Sequence, residues 1–496
     1  MKRFKILVCS LALVTAFVSC DSFLSETPDN RTQLNTTKKI KDLLVYAYPS
    51  YHSASFLEAM SDNVGDSENP TGGTRENDAY YLWQDSDDVS ADSPSAYWDG
   101  CYSAIAQANE ALEAIEGFSE TNETRAIKAE AYLTRAYAHF MLVNIFAKHY
   151  NPATAASDLG VPYVTAPERE LIKKYKRATV QEVYDLIEQD LLAGLEDARL
   201  ITYGGMPAKF HFNVEAARAF ATRFYLYKGD FDKVLDYTTS VSGKPTTLRD
   251  YVAWNLMPVD PQSMFYASTE PKTNLLVTTV PSGYSRTFFY DRFAPDTNLM
   301  TKEILGAKSN PFGKEFIIKT INYNGRTEIK FVAKVGEYFK TTNPTAGTGY
   351  AFVQAVLFSN DEMYLARLEA LAMNNQLAEA MEGLGYIIGL RTVGYDSNND
   401  VITIEKLRSM FPNAETELTP FYSLTGDQAV VVQAIAEARR RELIHESNRW
   451  FDIKRFDMKV EHKIDQTTYT LEKGDLRRAF QLPIHVIDAG LTPNPR

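Results

Sequence analysis

The chain has 496 residues, 45% of them apolar, enough for a large core. Length alone suggests about three domains as a soft prior. A net charge of −12 excludes nucleic acid as the natural partner, which needs a basic face, and no run of like charge is long enough to make a disordered tail.

Lys2, Arg3 and Lys5 form a positive start, followed over 6–18 by an apolar core too short to cross a bilayer as a helix. That is the layout of a signal peptide spanning 1–19. It ends in Phe17-Val18-Ser19-Cys20, which resembles the lipobox of bacterial lipoproteins. The expectation is cleavage before Cys20 and acylation of its thiol, palmitate among the chains, leaving 496 − 19 = 477 residues. Each buried acyl CH₂ contributes about 0.8 kcal/mol, so a multiply acylated cysteine anchors without a spanning helix. The plainer alternative is that Cys20 only ends a secretory signal. Of three cysteines, Cys9 lies in the leader and Cys101 is left alone, so no disulfide framework exists and stability must come from packing.

Residues 40–62 carry a short helical pattern (Leu43, Leu44, Ala47) stopped by Pro49. Residues 63–95 read as a loop rich in Gly, Asn, Asp and Ser, with Tyr80, Tyr81 and Trp83 embedded in it. A helix pair follows. Trp98, Tyr102, Ile105, Asn109, Leu112 and Ile115 keep the three–four spacing, with Gly117 near the end. Over 123–148, small residues (Ala129, Ala131, Ala136, Ala138) alternate with Tyr132, Tyr137 and Phe140. Small-against-large patterning lets helices approach closely, the texture of tetratricopeptide-like hairpins. Thr179 with Glu182 predicts a capping box opening a helix to about Ala198, and Asn213 caps the next. The stretch 226–231 (LYKGDF) resembles the tight turn between two such helices.

Over 242–358 helical periodicity fades, and Pro, Gly, Thr and aromatics rise. Asn324-Gly325 between β-prone runs at 316–323 and 326–335 predicts a hairpin. A third helix pair begins at Ser359, with Glu362 completing a capping box, and ends near Arg391; 392–425 reads as another loop. Then Val431, Ile435 and Ala438 share one helix face, while Arg439, Glu442, Glu446 and Arg449 share another, running into Trp450, Phe451 and Ile453. Two carboxylates one turn apart could be a glycosidase pair, since retaining enzymes set theirs about 5–5.5 Å apart. Each has an arginine one turn away, which favours the ionised form and spoils a general acid, so an ionic lattice is the preferred reading.

No H-E-x-x-H, G-x-S-x-G, P-loop or G-x-G-x-x-G occurs, and no two of the seven histidines lie at ligand spacing, so neither a metal nor a cofactor site is readable. The acidic stretches 85–92 (DSDDVSAD) and 396–400 (DSNND) could hold calcium, but neither fits an EF-hand and solvated loops are the simpler reading. Binding is better supported. Loop aromatics offer an apolar face to a sugar ring or peptide side chain, and Tyr and Trp keep a polar edge. Trp98 and Trp450 fall in helical stripes and belong to the core; Trp83 and Trp254 fall in loops. Trp83, Tyr81, Tyr284, Phe289 and Tyr290 are the binding candidates, two or three of them expected to form one platform.

The stretch 437–456 resembles the C-terminal helix of the SusD/RagB lipoproteins of Bacteroidetes-type bacteria, approximately R-x-x-E-L-x-x-E-G-x-R-W-x-D-[LI]-x-R. The match falls on Arg439, Glu442, Leu443, Glu446, Arg449, Trp450, Asp452, Ile453 and Arg455, with Ser447 in place of the usual glycine. Ala129, Glu130, Ala131, Arg135, Ala136, Tyr137, Phe140 and Leu142 match a second family segment. The tether at 21–31, the link at 158–165 and the tail at 482–496, with His485 and Asp488 substituted, resemble further ones. The resemblance implies a mainly α fold of about four tetratricopeptide-like helix pairs, with a loop-rich insertion containing a small β-hairpin. Residues 20–496 would form one unit, with a helical scaffold at about 97–241 and 359–456 and ligand-binding insertions at about 63–95 and 242–358. It further implies a lipid-anchored outer-membrane protein, on the cell surface, that binds a nutrient, most often a glycan. The ligand would pass without catalysis to a TonB-dependent, SusC-like transporter. The alternatives are a peptide ligand, a glycoside hydrolase with two carboxylates facing across a cleft, or a bare helical-repeat scaffold with no aromatic pocket.

Overall fold

The computed structural model describes residues 33–68, 76–170, 173–203, 208–322 and 325–496. The expected signal peptide at 1–19, the lipidation site Cys20 and Asn324 lie outside the described residues. Among the described residues no helix is long and apolar enough to cross a membrane.

The fold is mainly α. After α1 (Thr37–Leu44) come α2 (Pro94–Ile115) and α3 (Asn122–Phe146). The Ser93 side chain caps α2, with Pro94 in the first turn, where its missing N–H costs nothing. α3 packs between α2 and α4 (Val180–Asp197) and is buried on nearly all sides over its second half. That is why its pattern mixes alanines with aromatics instead of showing one apolar stripe. Its buried Arg135 is held by Asp190, with Nε and Nη2 each donating at 2.7 Å. α4 opens with the expected Thr179–Glu182 capping box, and Asn213 caps α5 (Val214–Lys228) by accepting from the backbone of Glu215 and Ala216. Gly229 ends α5 at φ +78°, a region a side chain enters at a cost, and Asp230 caps α6 (Phe231–Tyr237). α7 (Val259–Tyr266) lies in the insertion. α8 (Asn360–Met373) and α9 (Leu377–Leu390) form the third pair. Ser359 does cap α8, but Glu362 does not reach back; its carboxylate accepts from Arg223 Nε at 2.7 Å.

The last helix of the sequence reading is two helices. α10 (Gly426–Glu442) and α11 (Asn448–Arg455) are separated by a turn in which His445 and Ser447 both have positive φ. Arg439, Glu442, Glu446 and Arg449 therefore do not ladder on one face. Arg439 pairs with Asp452 (3.3 Å), Glu442 with Arg391 (2.8 Å), Glu446 with Lys334 (2.9 Å), and Arg449 with Asp62 (2.7 Å) and Glu437 (3.1 Å). The lattice is real, but it stitches distant segments together. Burial alone would raise the Glu442 carboxyl, yet the Arg391 guanidinium wins and holds it below the usual range.

The strands in chain order are β1 (Gly65–Asp66), β2 (Asn274–Pro281), β3 (Phe293–Ala294), β4 (Ile321–Asn322), β5 (Lys330–Phe331), β6 (Glu337–Asn343), β7 (Thr348–Ser359), β8 (Val460–Ile464) and β9 (Thr467–Leu471). The largest sheet has the antiparallel order β2–β7–β6; β1 pairs with β3, β4 with β5 and β8 with β9. Either side of the expected Asn324-Gly325 turn, β4 pairs with β5, with Ile321 opposite Phe331. The long hairpin is β6–β7, which the sequence reading missed. Two stretches read as loops hold short helices: Glu76–Tyr81 within 63–95, and Ile404–Met410 and Ala414–Glu417 within 392–425. Trp254, read as a loop residue, ends a four-residue helix (Tyr251–Trp254) and is core, with its indole N–H donating to Gln262 O at 2.8 Å.

Candidate ligand-binding surface

The structure does not assemble the expected aromatic platform. Tyr81, Trp83, Tyr284 and Phe289 are buried. Tyr81 and Trp83 clasp His462 of β8 between them, at ring separations of 4.0 and 4.4 Å, and Phe293 of β3 covers the far side of Tyr81 at 4.0 Å. The Trp83 N–H donates to Met60 O at 3.0 Å. This four-ring stack pins the 76–83 segment to two strands. Tyr284 packs against His52, Phe288 and Phe289. Of the five, only Tyr290 is half-exposed, under the Arg326 guanidinium, 4.1 Å from its ring centre. Short amphipathic turns explain the burial: each places a bulky ring where it removes more apolar area from water than an exposed position allows.

One of these rings does stand behind a site. Phe289 stacks on Phe331 of β5 at 4.6 Å, and Phe331 lines an open groove of about 540 Å³ between α7, β4–β5 and the start of β6. That volume lies within the range of small-ligand sites, about 300–1,000 Å³. The interior cavity beside His52, Lys334 and His445, at about 60 Å³, has room for a few waters only. A second open hollow of about 400 Å³ lies beside His149 and Phe421, outside the insertion.

The groove is built from the insertion. Arg286 stands on the single-turn helix Tyr284–Thr287. Asp92 anchors the start of that turn by accepting from Ser282 Oγ (2.6 Å) and the Gly283 N–H (2.7 Å); burial pushes the Asp92 carboxyl up to about 6. Arg286 Nε donates to both carboxylate oxygens of Glu337, at 2.9 and 3.1 Å, and the guanidinium carbon lies 5.6 Å from the centre of the exposed Phe339 ring. Asn322 and the exposed Asp260 complete the polar wall. The surface thus offers ring faces for apolar contact and a fixed fork of donors and acceptors for hydroxyls or amides. Two carboxylates, Asp260 and Glu337, line it, but Glu337 is occupied by Arg286. Such a wall can hold a ligand through ring contacts and hydrogen bonds alone. Among the described residues no group of three or more His, Cys, Asp or Glu is arranged to hold a metal ion. The 396–400 turn is closed on itself, with Asp396 accepting from Asn398 and Asn399, and Asp400 paired with Lys314 at 2.6 Å.

Comparison with known proteins follows the same lines. A family profile described as "Starch-binding associating with outer membrane" matches residues 22–226, and the profile of the SusD family matches 322–478. SusD-like protein P2 of Formosa agariphila is 22% identical over an alignment covering 100% of this chain and 99% of that protein. The solved structure of a SusD superfamily protein from Bacteroides thetaiotaomicron superposes with a TM-score of 0.66 at 20% identity, over 93% of this chain and 100% of that one. A laminarin-binding SusD-like protein superposes with a TM-score of 0.57 at 17% identity, over 93% and 99%.

Proposed function

Because the chain belongs to the SusD/RagB family of nutrient-binding proteins, we propose that it is a cell-surface lipoprotein that captures a glycan in the insertion groove and delivers it to a TonB-dependent outer-membrane transporter. The observation that carries the glycan reading is the groove itself, with Phe331 and the Arg286–Glu337 fork in its wall and the exposed Phe339 ring on the far side of Arg286. The laminarin-binding relative shares the fold and supports a carbohydrate ligand. The anchor is Cys20, acylated after removal of 1–19. No step of this role needs catalysis: affinity is enough, and release is driven by the partner.

Titration calorimetry against a panel of neutral polysaccharides and peptides tests the ligand. Arg286→Ala and Phe339→Ala each lower glycan affinity at least tenfold with the fold intact; a glycan that binds both variants as well as the parent refutes the groove. For the anchor, labelling with a palmitate analogue marks the parent and not Cys20→Ser. For the partner, crosslinking in outer membranes yields a barrel-sized adduct.

A peptide ligand is the second reading, and β6 favours it. Among the described residues this strand lies at the sheet edge, exposed beyond Glu337, and the outer side of an edge strand can accept an added strand. A peptide hit in the same panel, with silence from every glycan, selects it.

A further inference from the structure

We propose that the ring-bearing face of the β6–β7 hairpin is a separate subsite for acidic sugar residues, which adds a charge preference to the glycan reading on which it rests. Residues opposite each other in an antiparallel pair point to the same side. The register sets Tyr338 against Phe352 and Lys340 against Tyr350. These four side chains therefore share one face, while Glu337 and Phe339 project from the other, toward Arg286. Tyr338 and Phe352 lie nearly parallel, 5.3 Å apart at 11°. Tyr338 is 40% exposed and Tyr350 is 64% exposed, and β6 from Tyr338 onward is exposed throughout. Tyr350 and Phe352 stand about 6.8 Å apart along the strand, so the face offers two ring stations in a row.

The charge on this face points to the ligand. Lys340 forms no ion pair among the described residues, and no carboxylate shares its face. The two strands of the hairpin carry two charges, Lys340 on this face and Glu337 on the other, where Arg286 neutralises it. The face therefore presents a cation in a chain whose net charge is −12, and an anionic group is drawn to it. Stacking rings recognise a pyranose, and the Lys340 ammonium beside Tyr350, a compact point charge with three donors, recognises a carboxylate or a sulfate ester on it. A polypeptide laid along β6 would use the backbone edge instead and leave the ring face free.

The test is affinity electrophoresis of the purified protein against charge-matched pairs: polygalacturonate with its methyl ester, and dextran sulfate with dextran. The acidic member of at least one pair binds at least tenfold more tightly than its neutral parent. That preference falls from 0.05 to 0.5 M salt and is lost in Lys340→Gln and in Tyr350→Ala. It survives in Lys128→Gln, an exposed lysine of the helical scaffold, and the pair that responds identifies the anion. Binding of neutral glycans only, or an acid preference that persists in Lys340→Gln, overturns the subsite and leaves the glycan reading standing. Silence toward every polysaccharide overturns both.

Discussion

Ser447 sits at φ +68°, where the resembling family carries glycine, and its N–H donates to Glu58 at 3.2 Å. A residue with a β-carbon loses about 1–2 kcal/mol in this conformation. Glycine regains that but adds about 0.4–1 kcal/mol of freedom to the unfolded chain. Ser447→Gly therefore stabilises by about 0.5–1 kcal/mol, read as a rise in Tm of about 1–2 °C; a fall would mean that the hydroxymethyl packs more tightly than its backbone strains. Glu58 itself is buried, accepts from Asn63 Nδ2 at 3.0 Å, and is pushed by that burial up to about 7. A carboxyl whose folded value exceeds its unfolded one contributes stability in full below pH about 4.5 and loses it as pH rises to 7. Relative to Glu58→Gln, the parent should thus lose on the order of 3 kcal/mol between pH 4.5 and 7.5. Urea midpoints of both proteins at the two pH values measure this, and parallel curves would show that the site titrates normally.

At the scale of elements, the 76–83 segment shows why rings in a loop-like sequence are poor guides to a binding surface. Trp83 stacks on His462 and donates to Met60, so it joins a short helix to β8 and to the turn after Ala59. Trp83→Ala removes a fully packed indole and should cost about 3–5 kcal/mol, seen as a lower Tm; an unchanged Tm would mean that the stack is ornamental. The helices were legible because their signals are local: Thr179 with Glu182, Asn213 three residues before Ala216, Gly229 past the end of α5. The break at 443–447 was legible only through the family's glycine, which Ser447 replaces here; nothing else in R-E-L-I-H-E-S-N-R marks a turn, and its charges find their partners in distant segments. The site was not legible. Arg286 and Glu337 are 51 residues apart, and no local signal singled out Phe339, which lies beyond the β-prone runs at 316–323 and 326–335 and comes to Arg286 only through the fold. The long β6–β7 hairpin went unseen because its turn, 344–347, holds Pro344 and Gly347 without the Asn-Gly pair that signals a tight turn.

Scaffold and insertion share one core, which decides how the whole molecule unfolds. β7 runs directly into the Ser359 cap of α8, and Phe358 at its end packs among Tyr137, Phe212 and Phe220 of the scaffold. Arg223 of α5 binds Leu357 O and Glu362 across the same junction. The smaller cluster around Trp254 is tied in as well, since it includes Ile444 of the α10–α11 turn, and Tyr266 donates to Glu446 at 2.5 Å. A groove wall held by such a core is pre-organised, so binding does not spend affinity on ordering it. The same coupling predicts one cooperative transition despite the length of the chain. Calorimetry should give one peak with equal calorimetric and van't Hoff enthalpies. Far-UV circular dichroism, dominated by the scaffold, should melt together with tryptophan fluorescence, to which Trp254 in the insertion contributes. Phe358→Ala makes the argument sharper. It empties the junction, costs about 3–5 kcal/mol, and should lower both probes by the same amount. If fluorescence falls first while the helices hold, the insertion is an independent lid on the scaffold, and the rigidity assigned to the groove is lost with the shared core.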